Sequence, residues 1–375
     1  MPSRPIYLDY NATTPLLPEV VDAMLPYLTT HFGNPSSGHG YGVQARRAVE
    51  KAREQVASLL GADADEVVFT GSGTEANNLA IRGAVAAQGT AARHVILSAV
   101  EHPATEQPCR ALEREGLRLT RLPVGSDGVV ALGAVDAALE VRGTALLTLM
   151  HSNNETGALQ PVAEVAKRAR RAGVLVHTDA AQSVGKLPLD VRRLEVDLLS
   201  LAGHKLYAPK GVGALFVRRG VKLEPLVRGG GQEHGLRPGT ENVASIVGLG
   251  KACELARRSQ PGTLAALAER LLTRLREGIP GLQLNGPERE RLPNTLNVSA
   301  PGVRGADWLA RAPELAASTG SACHSGHDEP SAVLTAMGLD HDRAMGAVRL
   351  TVGRMTTEDE IDRAAEALVR AWRER

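Results

Sequence analysis

The sequence is poor in cysteine and carries almost no net charge. Three cysteines in 375 residues, Cys109, Cys253 and Cys323, are too few and too scattered for a disulfide framework or a four-thiolate metal site, so we expect no metal. A net charge of +1, without a basic run interleaved with aromatics, argues against nucleic-acid binding. No apolar stretch approaches membrane-spanning length and the first residues have no signal-peptide core, which predicts a cytoplasmic protein without a membrane partner.

Lysine is also scarce, with seven lysines against 36 arginines. Lys205 follows an apolar run at 198–202, and open α/β sheets carry their chemistry at the carboxyl ends of such strands. Burial at a strand end lowers the pKa of a lysine, and a neutral amine can form a Schiff base with an aldehyde cofactor. A surface lysine after a strand is the alternative that this stretch leaves open.

The order of apolar patterns predicts an α/β fold. Strand patterns alternate with helical patterns, which is typical of a largely parallel sheet with helices on both faces. We predict a large domain over 16–255, and a smaller α+β domain that joins 1–15 to 256–375. The strands predicted for the large domain are 67–70, 94–99, 117–122, 145–150, 174–178 and 198–202. Those predicted for the small domain are 295–299, 315–319 and 348–352.

Several predicted strands of the large domain end in polar residues that suit one ligand. A glycine loop at 71–78 opens a helix, and the free N–H groups of a helix start favour a phosphate. His102 follows the second strand and is placed to stack on a planar ring, while Asn154 follows a later one. Each of these alone also fits an ordinary turn or loop.

Asp179 stands directly at the end of a buried strand, with Gln182 three residues on. A buried carboxylate costs desolvation unless it is paired, so a cation is expected beside it. An arginine in a structural ion pair and a protonated pyridine nitrogen both satisfy that need. Together with the glycine loop, His102 and Lys205, however, the aspartate matches pyridoxal 5'-phosphate.

A second reagent is predicted in the small domain. Cys323 lies in a polar loop between glycines, next to His324 and close to His327, whereas the other two cysteines fall in predicted helices. Neighbouring imidazoles favour the thiolate, and an exposed thiolate is a nucleophile. An incidental loop cysteine is the alternative.

The chain resembles the cysteine desulfurases and selenocysteine lyases, which belong to the class V aminotransferase group of fold-type I pyridoxal phosphate enzymes. The resemblance runs nearly end to end and in order. Two of the matching motifs are Gly203-His-Lys205 and Gly320-Ser-Ala-Cys323. The other matching segments are 7–15, 32–36, 71–78, 101–103, 153–157, 177–182, 209–211, 229–240 and 352–354.

The resemblance implies a fold-type I large domain with a mostly parallel seven-stranded sheet, a small domain that carries the cysteine loop, and a homodimer. It implies removal of sulfur from L-cysteine to give alanine and a persulfide on Cys323, for a sulfur-acceptor protein such as one in iron-sulfur cluster assembly. Catalytic roles fall on Lys205, Cys323 and His102. Cofactor contacts fall on Gly73, Thr74, His102, Asn154, Asp179, Gln182, His204, Lys205 and, across the dimer, Thr240; substrate contacts fall on Asn34 and Arg354.

Two departures from the family pattern leave alternatives open. Ala202 stands where many desulfurases have a serine that binds the phosphate, and the sequence ends at Arg375 without their longer tail, so the scaffold partner stays open. Ala202 and the Cys-His-Ser run at 323–325 also resemble selenocysteine lyases, which act on L-selenocysteine. An aminotransferase has no use for Cys323, and a non-catalytic binding protein has no need of the lysine, the aspartate and the thiol together.

Overall fold

The computed structural model describes residues 4–258, 261–319 and 329–375. The predicted nucleophile Cys323, with His324 and His327, lies outside the described residues. In the described part of the chain the strands are β1 (Ile6–Tyr7), β2 (Val67–Thr70), β3 (His94–Ser98), β4 (Arg118–Leu122), β5 (Thr144–Thr148), β6 (Leu175–Asp179), β7 (Leu198–Ala202), β8 (Gly213–Val217), β9 (Gln283–Leu284), β10 (Thr295–Ser299), β11 (Leu315–Ala316) and β12 (Ala347–Thr351).

The helices surround these strands, and none that the structure describes is long and apolar enough to cross a membrane. They are α1 (Pro18–Thr29), α2 (Gly40–Leu60), α3 (Gly73–Ala87), α4 (Pro103–Arg114), α5 (Leu132–Leu139), α6 (Val162–Arg171), α7 (Val191–Leu194), α8 (Val243–Ala256), α9 (Pro261–Gly278), α10 (Gly305–Ala310), α11 (Ala332–Ala336), α12 (His341–Met345) and α13 (Glu358–Arg373).

Seven strands form one sheet in the order β2-β8-β7-β6-β5-β3-β4. All are parallel except β8, which runs antiparallel to both of its neighbours. The predicted α/β class and the mostly parallel seven-stranded sheet are therefore confirmed. The carboxyl ends of β2, β3, β5, β6 and β7 meet at one edge, where polar residues were predicted to converge.

The elements differ from the predicted ones in four places, the first being the two-residue strand β9, which was not predicted. β8 was not among the predicted strands, although its five residues are all buried. The strand predicted at 315–319 ends at Ala316, because Ser318 forms only an isolated bridge to Arg349. The arm predicted over 1–15 contains β1, which pairs in parallel with β11.

Hydrophobic side chains form separate clusters around the large sheet and around the small one. Both faces of the large sheet are covered, by clusters that draw on residues between Val20 and Ala256. Another cluster joins Ile6 and Leu8 of the arm to α9, α13 and the antiparallel sheet β12-β10-β9. The domain boundaries at 15/16 and 255/256 stay a prediction.

Candidate active site

A cavity of about 400 Å³ opens at the edge where the parallel strands end. Eight of the predicted site residues line it, and they come from the carboxyl ends of β2, β3, β5, β6 and β7 or from the segments that follow these strands. They are Gly73, Thr74, His102, Asn154, Asp179, Gln182, His204 and Lys205. The alternation of strands and helices thus places residues that are more than a hundred positions apart around one space.

Lys205 ends the short turn of 3-10 helix that follows β7. Its Nζ donates hydrogen bonds to the carbonyl oxygens of Asn11, at 2.6 Å, and Ala12, at 2.8 Å. Burial, helped by the positive charge of Arg349, lowers the pKa of Lys205 to about 8. The amine is therefore neutral in a much larger fraction of molecules at neutral pH than an exposed lysine, as a nucleophile for an aldehyde needs to be.

Asp179 is the last residue of β6 and is 7% exposed. One carboxylate oxygen accepts a hydrogen bond from Asn77 Nδ2 at 2.7 Å, and the other accepts one from the backbone N–H of Ala181 at 2.9 Å. Within the described residues it forms no salt bridge, so the structural ion pair that the sequence left open is not there. The charge of this buried carboxylate is available to a cationic ligand atom in the cavity.

The start of α3 supplies an anion site on the cavity wall. Ser72 caps the helix by accepting a hydrogen bond from Glu75 N–H at 3.1 Å. A Cβ on Gly73 would lie 2.8 Å from the Cβ of Ala202, so only glycine lets the helix start approach the end of β7 this closely. The N–H groups of the first turn and the helix dipole favour a phosphate here.

Two histidines border the cavity in the neutral form. Burial, with the positive charge of Lys205, lowers the pKa of His204 to about 4. His102 caps α4, and its Nδ1 accepts the N–H of Ala104 at 3.0 Å, which places the proton of the neutral ring on Nε2. The His102 side chain is exposed at the rim, yet the surrounding protein lowers its pKa by desolvation, opposed by the charge of Asp179.

Asn11 was not predicted as a site residue, although it lies in a matching segment. It is 1% exposed, and its carbonyl accepts hydrogen bonds from both Lys205 Nζ and Gln182 Nε2. Its side chain joins the two halves of the molecule. Nδ2 donates to Asn154 O at 3.2 Å and to Thr295 Oγ1 at 2.9 Å. Asn11 therefore holds Lys205 with its backbone carbonyl and the small sheet with its side chain.

Two further basic side chains, which were also not predicted, lie close to Lys205. Lys186 is buried, and its Nζ contacts only amide oxygens among the described residues, Asn11 Oδ1 and Gln182 Oε1, both at 2.9 Å. Desolvation, reinforced by the charge of Lys205, holds the pKa of Lys186 well below its usual range. Arg349 lines the cavity and pairs with Asp9 at 2.7 Å. A lysine seven residues after Asp179 was the only sequence signal for this group.

Three predicted residues lie elsewhere. Asn34 is exposed, and its Oδ1 accepts the N–H of Ser36 at 2.9 Å. Arg354 is not among the described residues that line the cavity; its guanidinium lies 5.1 Å from the centre of the Tyr207 ring, and its N–H donates to Tyr207 Oη at 2.7 Å. Thr240 is exposed on the surface. Their predicted roles stay predictions.

Comparison with known proteins places this site in a family. The model of the aminotransferase class-V family matches residues 6–364. The chain belongs to that family. A cysteine desulfurase of Nostoc sp. is 48% identical over 368 residues, which cover 97% of this chain and 92% of the relative.

Solved structures of the family share the fold throughout. A NifS-like protein superposes with a TM-score of 0.91 at 36% identity, covering 98% of each chain. The structure described as SspA in complex with cysteine superposes with a TM-score of 0.83 at 37% identity, covering 92% of this chain and 98% of that one. The fold and the family that the sequence motifs predicted are confirmed.

Proposed function

We propose that this protein is a cysteine desulfurase that uses pyridoxal 5'-phosphate. The chain is 48% identical to a cysteine desulfurase, and one observation in its structure supports the proposal most strongly. A lysine whose pKa is about 8 and a buried aspartate without a cationic partner in the described residues face one cavity. An aldehyde cofactor with a basic ring nitrogen and a phosphate satisfies both groups and the start of α3.

The residues of the cavity divide the work on that cofactor. Asp179 would hold the protonated ring nitrogen, and His102 would lie against one face of the ring. The phosphate would be held by the N–H groups from Gly73 onward, together with Thr74 and His204. When bound, the cofactor supplies an electron sink for the bond broken at the substrate α-carbon. Lys205 would attach the cofactor and, once released, hold and move the α-proton.

Sulfur acceptance falls to Cys323. Burial raises the pKa of the other two thiols, that of Cys253 to about 12, so neither is a thiolate at neutral pH. We infer that L-cysteine binds with its carboxylate on Arg354 and Asn34, and that the Cys323 thiolate attacks the substrate sulfur. The carbon–sulfur bond breaks, which gives alanine and a persulfide on Cys323. An acceptor protein then takes the outer sulfur of the persulfide.

A homodimer completes the proposal. Large apolar side chains stay exposed near the start of α2 and ahead of the segment 229–240, with Phe32 at 73%, Tyr41 at 59% and Val227 at 64%. A second copy would cover such side chains, and would receive Thr240 at its phosphate site. We propose that this dimer works in the cytoplasm, as the sequence predicts.

The test is an assay of the purified protein with L-cysteine and a reductant, measuring sulfide and alanine. We expect sulfide release that Cys323→Ser removes almost entirely and that Cys253→Ala leaves intact. The second candidate, a selenocysteine lyase, is favoured by Ala202 at the phosphate end of the cavity. Selenium leaves carbon more easily, so activity on L-selenocysteine should partly survive Cys323→Ser. A wild type saturated with cofactor that acts on L-selenocysteine alone would replace the desulfurase proposal with the lyase.

A further inference from the structure

The large sheet has an open edge at β2, which pairs with β8 and with no other strand in the described part of the chain. The unpaired backbone groups of such an edge strand need partners from elsewhere. Arg53 of α2 donates to the carbonyl oxygen of Val67 at 2.8 Å, and Glu233 accepts the N–H of Phe69 at 2.7 Å. Two side chains thus occupy the place of a further strand.

Arg53 and Glu233 also form a buried, two-pronged ion pair. The nitrogen–oxygen distances are 2.7 and 2.8 Å, and the residues are 5% and 6% exposed. The Arg53 guanidinium lies 4.9 Å from the centre of the Phe69 ring. A pair with this geometry is costly to break on one side, because the remaining charge stays buried.

Glu233 is part of the segment 229–240, which this pair holds against the sheet edge. Glu233 and its neighbour His234 both adopt left-handed backbone conformations, with φ of 47° and 58°. Two such residues in succession cost conformational energy, so contacts must hold them. The segment closes on itself where Gly239 N–H donates to Gln232 Oε1 at 3.1 Å.

A second tie joins this segment to the proposed phosphate site. Arg237 Nε donates to one carboxylate oxygen of Glu75 at 3.0 Å, and Gly71 N–H donates to the other at 2.8 Å. Thr240, the residue proposed to serve the second copy, directly follows the closure at Gly239. Its position in space is therefore set by the Glu233 anchor and by Glu75.

We propose that Arg53 and Glu233 are positioning residues for the active site of the other copy: they fix 229–240 so that Thr240 reaches the cofactor phosphate there. The proposal rests on the proposed function, through the homodimer and the cofactor. An experiment can distinguish this positioning role from a role that only covers the sheet edge, because covering the edge affects only the subunit that carries the two residues. The expected defect belongs to the partner's site.

The experiment uses mixed dimers purified with two different tags. The altered pair is Arg53→Met with Glu233→Met, which leaves no single buried charge, and Glu233→Gln alone is the second variant. In the first dimer, one subunit carries Lys205→Ala and the altered pair, and the other is wild type. In the second, one subunit carries Lys205→Ala alone and the other carries the altered pair. Only one subunit of each dimer can attach the cofactor covalently.

The readout is the dissociation constant of pyridoxal phosphate, titrated by the absorbance of the lysine-bound cofactor. We expect about tenfold weaker binding in the first dimer, the size of one charge-assisted hydrogen bond, and wild-type binding in the second. The matched control is Arg270→Met with Asp362→Met, an exposed ion pair whose two contacts are both 2.7 Å. That control should leave both dimers unchanged.

Equal binding in the two dimers, or weaker binding in the second, would overturn the positioning role. Chains that do not dimerise would overturn it as well. Neither result touches the chemistry if the wild type still releases sulfide from L-cysteine. A wild type that binds the cofactor but releases no sulfide would refute the proposed function, and the result of the mixed dimers would still hold.

Discussion

Two places in the described part of the molecule hold buried ionisable groups in opposite ways. At the open edge of the large sheet, Arg53 and Glu233 match each other with two short contacts. Asp179 and Lys205 face the strand-end cavity, and Lys186 lies behind Asn11 and Gln182 of its wall. Within the described residues these three groups have only amide and backbone groups as hydrogen-bond partners. A matched pair stabilises a geometry, whereas unmatched buried charges cost stability and stay available to a ligand.

Lys205→Ala should have the largest effect on activity, because it removes one of the unmatched groups that face the cavity. We expect turnover to fall to background, since no other amine replaces the nucleophile, and the absorbance of the lysine-bound cofactor to disappear. The apo-protein should melt no lower than the wild type, because the buried amine costs desolvation. Lys210→Ala, at an exposed lysine five residues on, is the control. Turnover at the wild-type rate in Lys205→Ala would refute the assignment.

Asp179→Asn keeps the shape of the side chain and removes its negative charge. An amide cannot balance a protonated ring nitrogen, so we expect kcat to fall by about 10²-fold or more, with the fold intact. Steady-state kinetics and thermal melting measure the two effects separately. Asp127→Asn, in an exposed turn, should change neither. If kcat survived Asp179→Asn, the cavity would not need the negative charge.

The pH dependence of aldehyde capture tests the environment of Lys205 directly. The neutral amine is the reactive form, so lowering its pKa to about 8 from the ordinary 10.5 moves reactivity to lower pH. The rate at which the apo-protein attaches pyridoxal phosphate should rise nearly tenfold from pH 6 to 7 and level off above 8. N-acetyl-lysine under the same conditions supplies the reference. A midpoint near 10.5 would mean that the amine is solvated.

Lys186→Met gives the smallest effect. The pKa of Lys186 is lower in the folded than in the unfolded chain, so its cost to stability is full at low pH and is relieved as pH rises towards 10.5. The stability of the variant relative to the wild type should therefore fall as pH rises. Denaturant titrations at neutral and alkaline pH measure this trend, with Lys222→Met, at an exposed lysine, as the control. A flat trend would place Lys186 in water, and a trend of the opposite sign would mean that a partner stabilises its ammonium group.

Sequence reasoning found the parts of the site that depend on local order. Asp179 ends an apolar run and Lys205 stands three residues after one, and a strand end fixes where such residues lie. Asn11 escaped it because its contacts span 143 to 340 residues along the chain. Arg53 and Glu233 lie 180 residues apart, and neither stands in a strand pattern. β8 was missed because its apolar run continues the segment of the lysine motif.

The position of Asn11 also sets an order of events in the making of the protein. The backbone carbonyl of Asn11 holds Lys205. Asn11 itself is held from the far end of the chain: its N–H donates to Thr351, 340 residues further along, and the preceding strand β1 pairs with β11. Such a closure pays the entropy of a very long loop, and a chain leaving the ribosome cannot make it until nearly all of its residues have emerged. Cofactor capture should therefore be among the last steps of folding, and nascent chains shortened before Thr351 should fold around the large sheet without holding the lysine in place.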